Sequence, residues 1–368
     1  MQVLVVNAGS SSLKLRLLDA SDHMLAGHDL PAPRGLADAA ALREVLGTLG
    51  RIDAVGHRIV HGGTEFTEPV IVDEAVVEKL RLLSDLAPLH QPKSLAALDA
   101  VAAALPGIPA VACFDTAFHA RMPAAAATYA LPREWRQRWP LRRFGFHGLS
   151  HAYASRKAAE LLGRSPKGFR VVTCHLGAGA SLAAVTDGRS MDTTMGFTPL
   201  EGLVMATRSG SVDPGLVLWL EEHVGMPPAE LAATLEHRSG LLGLAGTPDM
   251  RAILAAEVEG QAEAQLAVGV YLHRLRAGVA AMAAAMGGLD ALVFTGGVGE
   301  NAAAIRQRTA DGLAFLGLTV DPARNDDAGD REIGSRDARV RTLVVAARED
   351  LEIARQVREL LRPPEASG

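Results

Sequence analysis

The chain has 368 residues, 48% of them hydrophobic and 21% charged, with a formal net charge of -5. That composition excludes an intrinsically disordered chain, and without a basic stripe it gives no reason to expect a nucleic-acid partner. The length exceeds one ordinary core, so about two domains are expected.

At the N-terminus the apolar run "VLVVN" predicts a strand, and the polar segment "NAGSSSLK", Asn7 to Lys14, follows it. Its spacing fails the P-loop pattern, and the next stretch, "LKLRLLDA", alternates like a second strand rather than opening a helix. "DAVGHRIVHGG" predicts another strand, "APLHQP" a loop, "SLAALDAVAAAL" a helix and "AVACFDTAFH" a further strand. At "VVTCHLGAGASLAAVTDG" the opening construction returns. An offset of 168 sets Asn7 on His175, Gly9 on Gly177, Ser12 on Ala180 and Asp19 on Asp187. Two copies of strand, small-residue turn and strand suggest duplicated α/β domains, since the period is too long for a solenoid. Ala/Leu-rich helical stretches run to about Met286. Then come a strand and turn, "ALVFTGGVGEN", a last strand, "VRTLVVAARED", and a final helix, "LEIARQVRELL", with a frayed tail.

Cys113 and Cys174 each lie in an apolar stretch and read as small buried residues of a reducing compartment. No apolar run approaches the roughly 20 residues that span a bilayer, and the N-terminus lacks the pattern of a signal peptide. The expectation is a cytoplasmic protein with no membrane partner.

In α/β sheets, functional groups collect at the carboxyl ends of strands. Asn7, Arg58, Asp115, His175, the Gly296-Gly297 pair and Glu349 all fall at such junctions, which points to a shared cleft. The small residues from Gly9 to Ser12, Gly177 to Ser181 and Gly296 to Gly299 let backbone N–H groups approach phosphate oxygens. Lys14 reads either as a phosphate ligand or as a solvated strand lysine. Asn7 reads either as a holder of the water shell of magnesium, with Asp115 and Glu349, or as a turn residue bonded to its own loop. Arg58 and Arg208 sit among glycines and apolar residues. There an arginine either clamps an anion or makes a structural ion pair. Of the twelve histidines, His90, His147 and His175 lie in loops with Gly or Pro neighbours and are the candidates. No zinc motif and no G-x-S-x-G elbow occurs.

Taken together, "NAGSSSLK", "GHRIVHGG", "APLHQP", "FDTAFH", "RRFGFHGLSH", "HLGAGASLAAV", "MDTTMGFTPLEGLVMATRSG" and "FTGGVGEN" make the chain closely resemble the acetate kinases, nearly end to end. These belong to the acetate and sugar kinase, chaperone and actin superfamily. The resemblance implies two duplicated actin-like (ribonuclease H-like) α/β domains facing each other across a nucleotide-binding cleft. One would comprise residues 1–118 plus 351–368 and the other, nucleotide-binding, residues 119–350. It implies reversible phosphoryl transfer from ATP to acetate by direct in-line transfer, with magnesium (or manganese) and a homodimer.

Carried over by resemblance, Asn7 and Glu349 position the metal, and Ser10, Ser12 and Lys14 lie near the phosphates. Arg58 and Arg208 bind the carboxylate and neutralise the transition state. His147 touches the transferring group, and Asp115 orients acetate or metal. His175, Leu176, Gly177, Ala178 and Gly179 cover the outer phosphates, and Gly296, Gly297, Val298, Gly299, Glu300 and Asn301 border the adenosine. Val60, Leu89, Phe146 and Pro199 wall an apolar pocket suited to a methyl group, with His90 in support. Three positions depart from the family pattern: Ala178 replaces an asparagine, Ser211 an acid and Gln91 an asparagine. A propionate kinase of the same family is the near alternative, because one methylene discriminates weakly. An actin-like ATPase that forms no acyl phosphate is the alternative of another class.

Overall fold

The computed structural model describes residues 1–9, 12–32, 38–87 and 91–362. Ser10, Leu89, His90 and the tail from Pro363 lie outside the described residues. The chain divides into two compact units. The first comprises Met1–Arg121, Gly148–Tyr153 and Arg348–Gly368, and the second Met122–His147 and Ala154–Ala347.

The first unit holds a six-stranded sheet of β1 (Val3–Ala8), β2 (Ser12–Leu18), β3 (Met24–Pro31), β4 (Ala54–Ile59), β5 (Val70–Ile71) and β6 (Ala110–Phe114). The order is β3-β2-β1-β4-β6-β5, with β1, β4 and β6 parallel and the others antiparallel to their neighbours. The near-continuous apolar run of β1 follows from burial on both faces. Leu4 and Val6 enter one core with Leu15, Leu42 and Val101, while Val3 and Val5 enter another with Val111, Ile353 and Val357. The second core is closed by the helix Glu349–Leu360, which Gly56 on β4 admits. A Cβ there would stand 2.5 Å from Ile353 Cγ2 and 2.8 Å from Val357 Cγ2. β4 thus carries no side chain where the helix lies.

The second unit repeats the plan with β7 (Arg170–Leu176), β8 (Ala180–Thr186), β9 (Arg189–Thr193), β10 (Ala291–Thr295), β11 (Arg331–Glu332) and β12 (Arg341–Val344). Its order is β11-β12-β10-β7-β8-β9, with β7, β10 and β12 parallel. Each strand of one sheet therefore has a counterpart of the same direction in the other. The 24-residue helix Ala262–Ala285 buries Val268, Leu272, Leu275 and Val279, and packs on β7 and β8.

The offset of 168 holds along β1 and β7, where Asn7 and His175 are both next to last. Beyond the turns it slips by one residue, because Ala8 pairs with Leu13 but Leu176 with Ala180. Ser12 and Asp19 therefore fall one position out of step with Ala180 and Asp187. A second difference concerns "GGVGEN", read from the sequence as a turn. Gly296–Asn301 is a short helix. Among the described residues, no helix is long and apolar enough to cross a membrane.

Candidate active site

In the first unit the parallel strands bring four of the expected residues into one hydrogen-bonded cluster. Arg58, next to last on β4, donates Nε to Asp115 Oδ1 at 3.0 Å and Nη2 to Asp115 Oδ2 at 2.5 Å. Its Nη1 donates to Asn7 Oδ1 at 3.1 Å, and Asn7 Nδ2 donates to Glu349 Oε2 at 3.1 Å. The Asp115 side chain is 2% exposed and that of Arg58 16%. Burial alone would favour loss of the Arg58 proton. The Asp115 and Glu349 carboxylates outweigh it, so the guanidinium is held charged more firmly than usual. Of the two readings of Arg58, the ion pair is therefore present. It leaves open the binding of a further anion.

Asn7 Oδ1 and the Glu349 carboxylate are hard oxygen donors, few in number, which suits a hard divalent cation that keeps most of its waters. Among the described residues, no group of three or more His, Cys, Asp or Glu is gathered as a metal cage. Lys14 is exposed and stands opposite Asn7 in the β1–β2 register. The turn before it closes through Gly9 N–H donating to Ser12 O at 2.8 Å. Val60 is buried just past β4. There Gln91 donates Nε2 to His61 O at 3.0 Å and accepts from His61 N–H at 3.2 Å. The substitution at position 91 thus pins the strand end that carries Arg58 and Val60.

In the second unit, His147 lies over the β7–β8 hairpin. Its ring is 4.4 Å from that of His175, and its Nδ1 is 2.9 Å from Ser181 Oγ, the residue paired with His175 across the strands. His147 has φ 55°, a left-handed conformation unusual for a residue with a side chain, at the start of the helix Gly148–Leu161. Strain of this kind persists where the surroundings enforce it, and it concentrates at functional positions. The adjoining turn is held by Gly177 N–H donating to Gly179 O at 2.9 Å and Ala206 N–H to Ala178 O at 3.0 Å. A Cβ on Gly179 would come within 3.3 Å of His147 Nε2 and 3.5 Å of Arg208 Nη1, so the bare backbone leaves that space clear. Arg208 donates Nε to Glu236 Oε1 at 2.7 Å and Nη1 to Pro199 O at 3.4 Å. Phe146 is buried and Pro199 half-buried.

The short helix Gly296–Asn301 is rich in glycine, a poor helix former, and side chains hold both its ends, its own Glu300 at the start and Arg306 of the next helix at the finish. Glu300 Oε1 accepts from Gly296 N–H and from Ala347 N–H, each at 3.0 Å. At the other end Arg306 Nη1 donates to Gly299 O at 2.9 Å and Glu300 O at 2.7 Å, while its Nε donates to Asn325 Oδ1 at 2.7 Å. Burial, with Arg331 nearby, lowers Arg306 to about 10, so it stays charged at neutral pH. A cavity of about 370 Å³ adjoins, lined by Glu300, Asn301, Arg306, Asn325 and Arg331 among others.

The remaining departures from the family pattern also have physical accounts. Ala178 is exposed, and its turn is shaped by backbone hydrogen bonds. Ser211 Oγ accepts from Gly202 N–H at 3.0 Å, a bond an acid could also accept.

Sequence reasoning missed Glu236, Gln91's grip on His61, the capping by Glu300 and the buried Arg306. It also missed the group in which Tyr129 donates to Glu201 at 2.5 Å and Arg143 donates to Glu201 at 2.7 Å, with Glu201 itself in the "MGFTPLEG" loop. An arginine among apolar residues signals that some acid must face it. It does not say which one.

The acetokinase family matches residues 32–355. An acetate kinase from Nostoc sp. is 41% identical, covering 98% of this chain and 100% of that one. The crystal structure of Porphyromonas gingivalis acetate kinase superposes with a TM-score of 0.90 at 36% identity, covering 98% of this chain and 100% of that one. A propionate kinase from Francisella tularensis superposes with a TM-score of 0.89 at 36% identity, covering 96% of this chain and 98% of that one. The chain belongs to the acetokinase family.

Proposed function

We propose that this member of the acetokinase family is an acetate kinase. It would transfer the terminal phosphoryl group of ATP to acetate, reversibly and in line, giving ADP and acetyl phosphate. The observation that carries this reading is the cluster of Arg58, Asp115, Asn7 and Glu349 in a chain similar to acetate kinases over nearly its whole length.

Acetate is ionised at pH 7 and needs no strong general base to attack phosphorus. Its obstacle is repulsion between two anions, which fixed positive charge relieves. Arg58, kept charged and oriented by Asp115, takes the acetate carboxylate, and Arg208 neutralises the charge that develops on the transferring group. His147 donates a hydrogen bond to that group. Asn7 and Glu349 hold magnesium (or manganese), which when bound draws charge from the phosphate oxygens.

Ser10, Ser12 and Lys14 serve the phosphates, as does the turn of His175, Leu176, Gly177, Ala178 and Gly179. The backbone from Gly296 to Asn301 borders the adenosine. Val60, Leu89, Phe146 and Pro199 offer apolar surface to the methyl group, a poor match to the hydroxyls of a sugar. The protein works in the cytoplasm as a homodimer. The exposed Leu216 and Trp219 on the helix Pro214–Val224 support the dimer as apolar surface of the kind an interface covers.

The test is ADP formation from ATP, with acyl phosphate trapped by hydroxylamine, compared across acetate, propionate, butyrate and no acid. Trapped product should be greatest with acetate. Propionate should follow within about 1–3 kcal/mol of discrimination, since one methylene is worth no more. ATP hydrolysis independent of acid, with nothing trapped, would overturn the reading, and a preference for propionate would move it to the propionate kinases.

A further inference from the structure

The loop carrying Arg208 is stitched to the end of the helix Pro228–His237. Thr207 Oγ1 donates to Glu236 O at 2.9 Å, Ser209 N–H to Leu235 O at 3.0 Å, and Ser239 N–H to Thr207 O at 3.0 Å. Across this seam Glu236 sends its carboxylate to Arg208 Nε at 2.7 Å, with the two side chains 13% and 18% exposed. A guanidinium is planar, so a bond to Nε fixes the direction in which both Nη groups point. Here the fork is also braced by Nη1 against Pro199 O, on the segment assigned to the apolar pocket.

We propose that Glu236 is a positioning residue for the phosphoryl-transfer step. By occupying Nε, it aims the terminal nitrogens of Arg208 at the transferring group. Glu236 itself touches neither substrate nor nucleotide. This rests on the role given to Arg208 above. Glu236 acts through geometry, so what matters is a hydrogen-bond acceptor at that point, and the carboxylate charge is secondary. A glutamine retains that acceptor and an alanine removes it.

The experiment compares Arg208→Ala, Glu236→Ala, Glu236→Gln and the double variant Arg208→Ala/Glu236→Ala. Acyl phosphate is trapped in long incubations, with thermal unfolding followed alongside. Loss of aim should lower kcat of Glu236→Ala by about 10- to 100-fold, with KM for ATP and acetate moving less than about threefold. Glu236→Gln should recover most of that loss. In the Arg208→Ala background, Glu236→Ala should cost less than about twofold, because the group it aims is gone. Equal losses in both backgrounds would show that Glu236 acts independently of Arg208 and would overturn the inference. So would near-normal turnover of Glu236→Ala beside an inactive Arg208→Ala. Near-normal turnover of Arg208→Ala would instead remove the charge-clamp reading on which the inference stands.

Discussion

The two units share one strand order and direction, yet load it with different chemistry. At the end of β1 the first unit has Asn7, tied to a network of full charges through Arg58, Asp115 and Glu349. At the matching point of β7 the second has His175, its ring tilted against that of His147 over Ser181, beside a turn made of bare backbone. The turns differ as well: four residues separate Ala8 from Leu13, and three separate Leu176 from Ala180. A repeated sheet therefore fixes where polar groups emerge, and the residue types at those points decide what each unit can hold.

The sharpest test of this contrast removes one arginine from each unit. Arg58→Ala and Arg208→Ala should each lower kcat/KM by about 10³-fold or more, the scale of a lost transition-state arginine. Their effects on folding should differ. Arg58→Ala takes the bidentate guanidinium from Asp115, whose side chain is 2% exposed, and should cost about 3–5 kcal/mol in urea unfolding. Arg208→Ala leaves the more accessible Glu236 and should cost about 1–2 kcal/mol. Equal stability losses would break the comparison.

A pH effect concerns the first unit, where burial pushes both His57 and His61 down to about 4. Unfolded, each takes up a proton near pH 6.5, so between about 6.5 and 4 the unfolded chain binds more protons. Stability is complete above that window and is lost on acidification, at up to about 1.4 kcal/mol per pH unit for each histidine. Thermal unfolding followed from pH 7 to pH 4 should show this slope, and His57→Gln should make it shallower. An unchanged slope would place the acid sensitivity elsewhere. The smallest effect is expected for Ala178→Asn, an exposed side chain on a backbone-shaped turn. Its folding stability should stay within about 0.5 kcal/mol of the parent, measured in the same urea titration.

Much of this architecture was legible because strands announce themselves by period and composition. "VLVVN" and "VVTCHL" read as buried strands for the same reason, and the small-residue turns after them made the duplication visible. Arg58 among apolar neighbours had to have an anionic partner. The helix at Gly296–Asn301 was not legible, because glycines argue against it and its support comes from Glu300 and from Arg306 in the next helix. Glu236 was hidden for a similar reason, since nothing local distinguishes it from other acids near a helix end.

By itself the sequence determined the α/β class, the two like halves, the strand ends where polar residues emerge and the family resemblance. These rest on local periodicity and on short ordered motifs. Tertiary structure decided which carboxylate faces which arginine, where the offset of 168 slips, and how a run of glycines becomes a helix. Those outcomes depend on residues far apart in the chain, whose meeting is set by packing and by the need to pair buried polar groups.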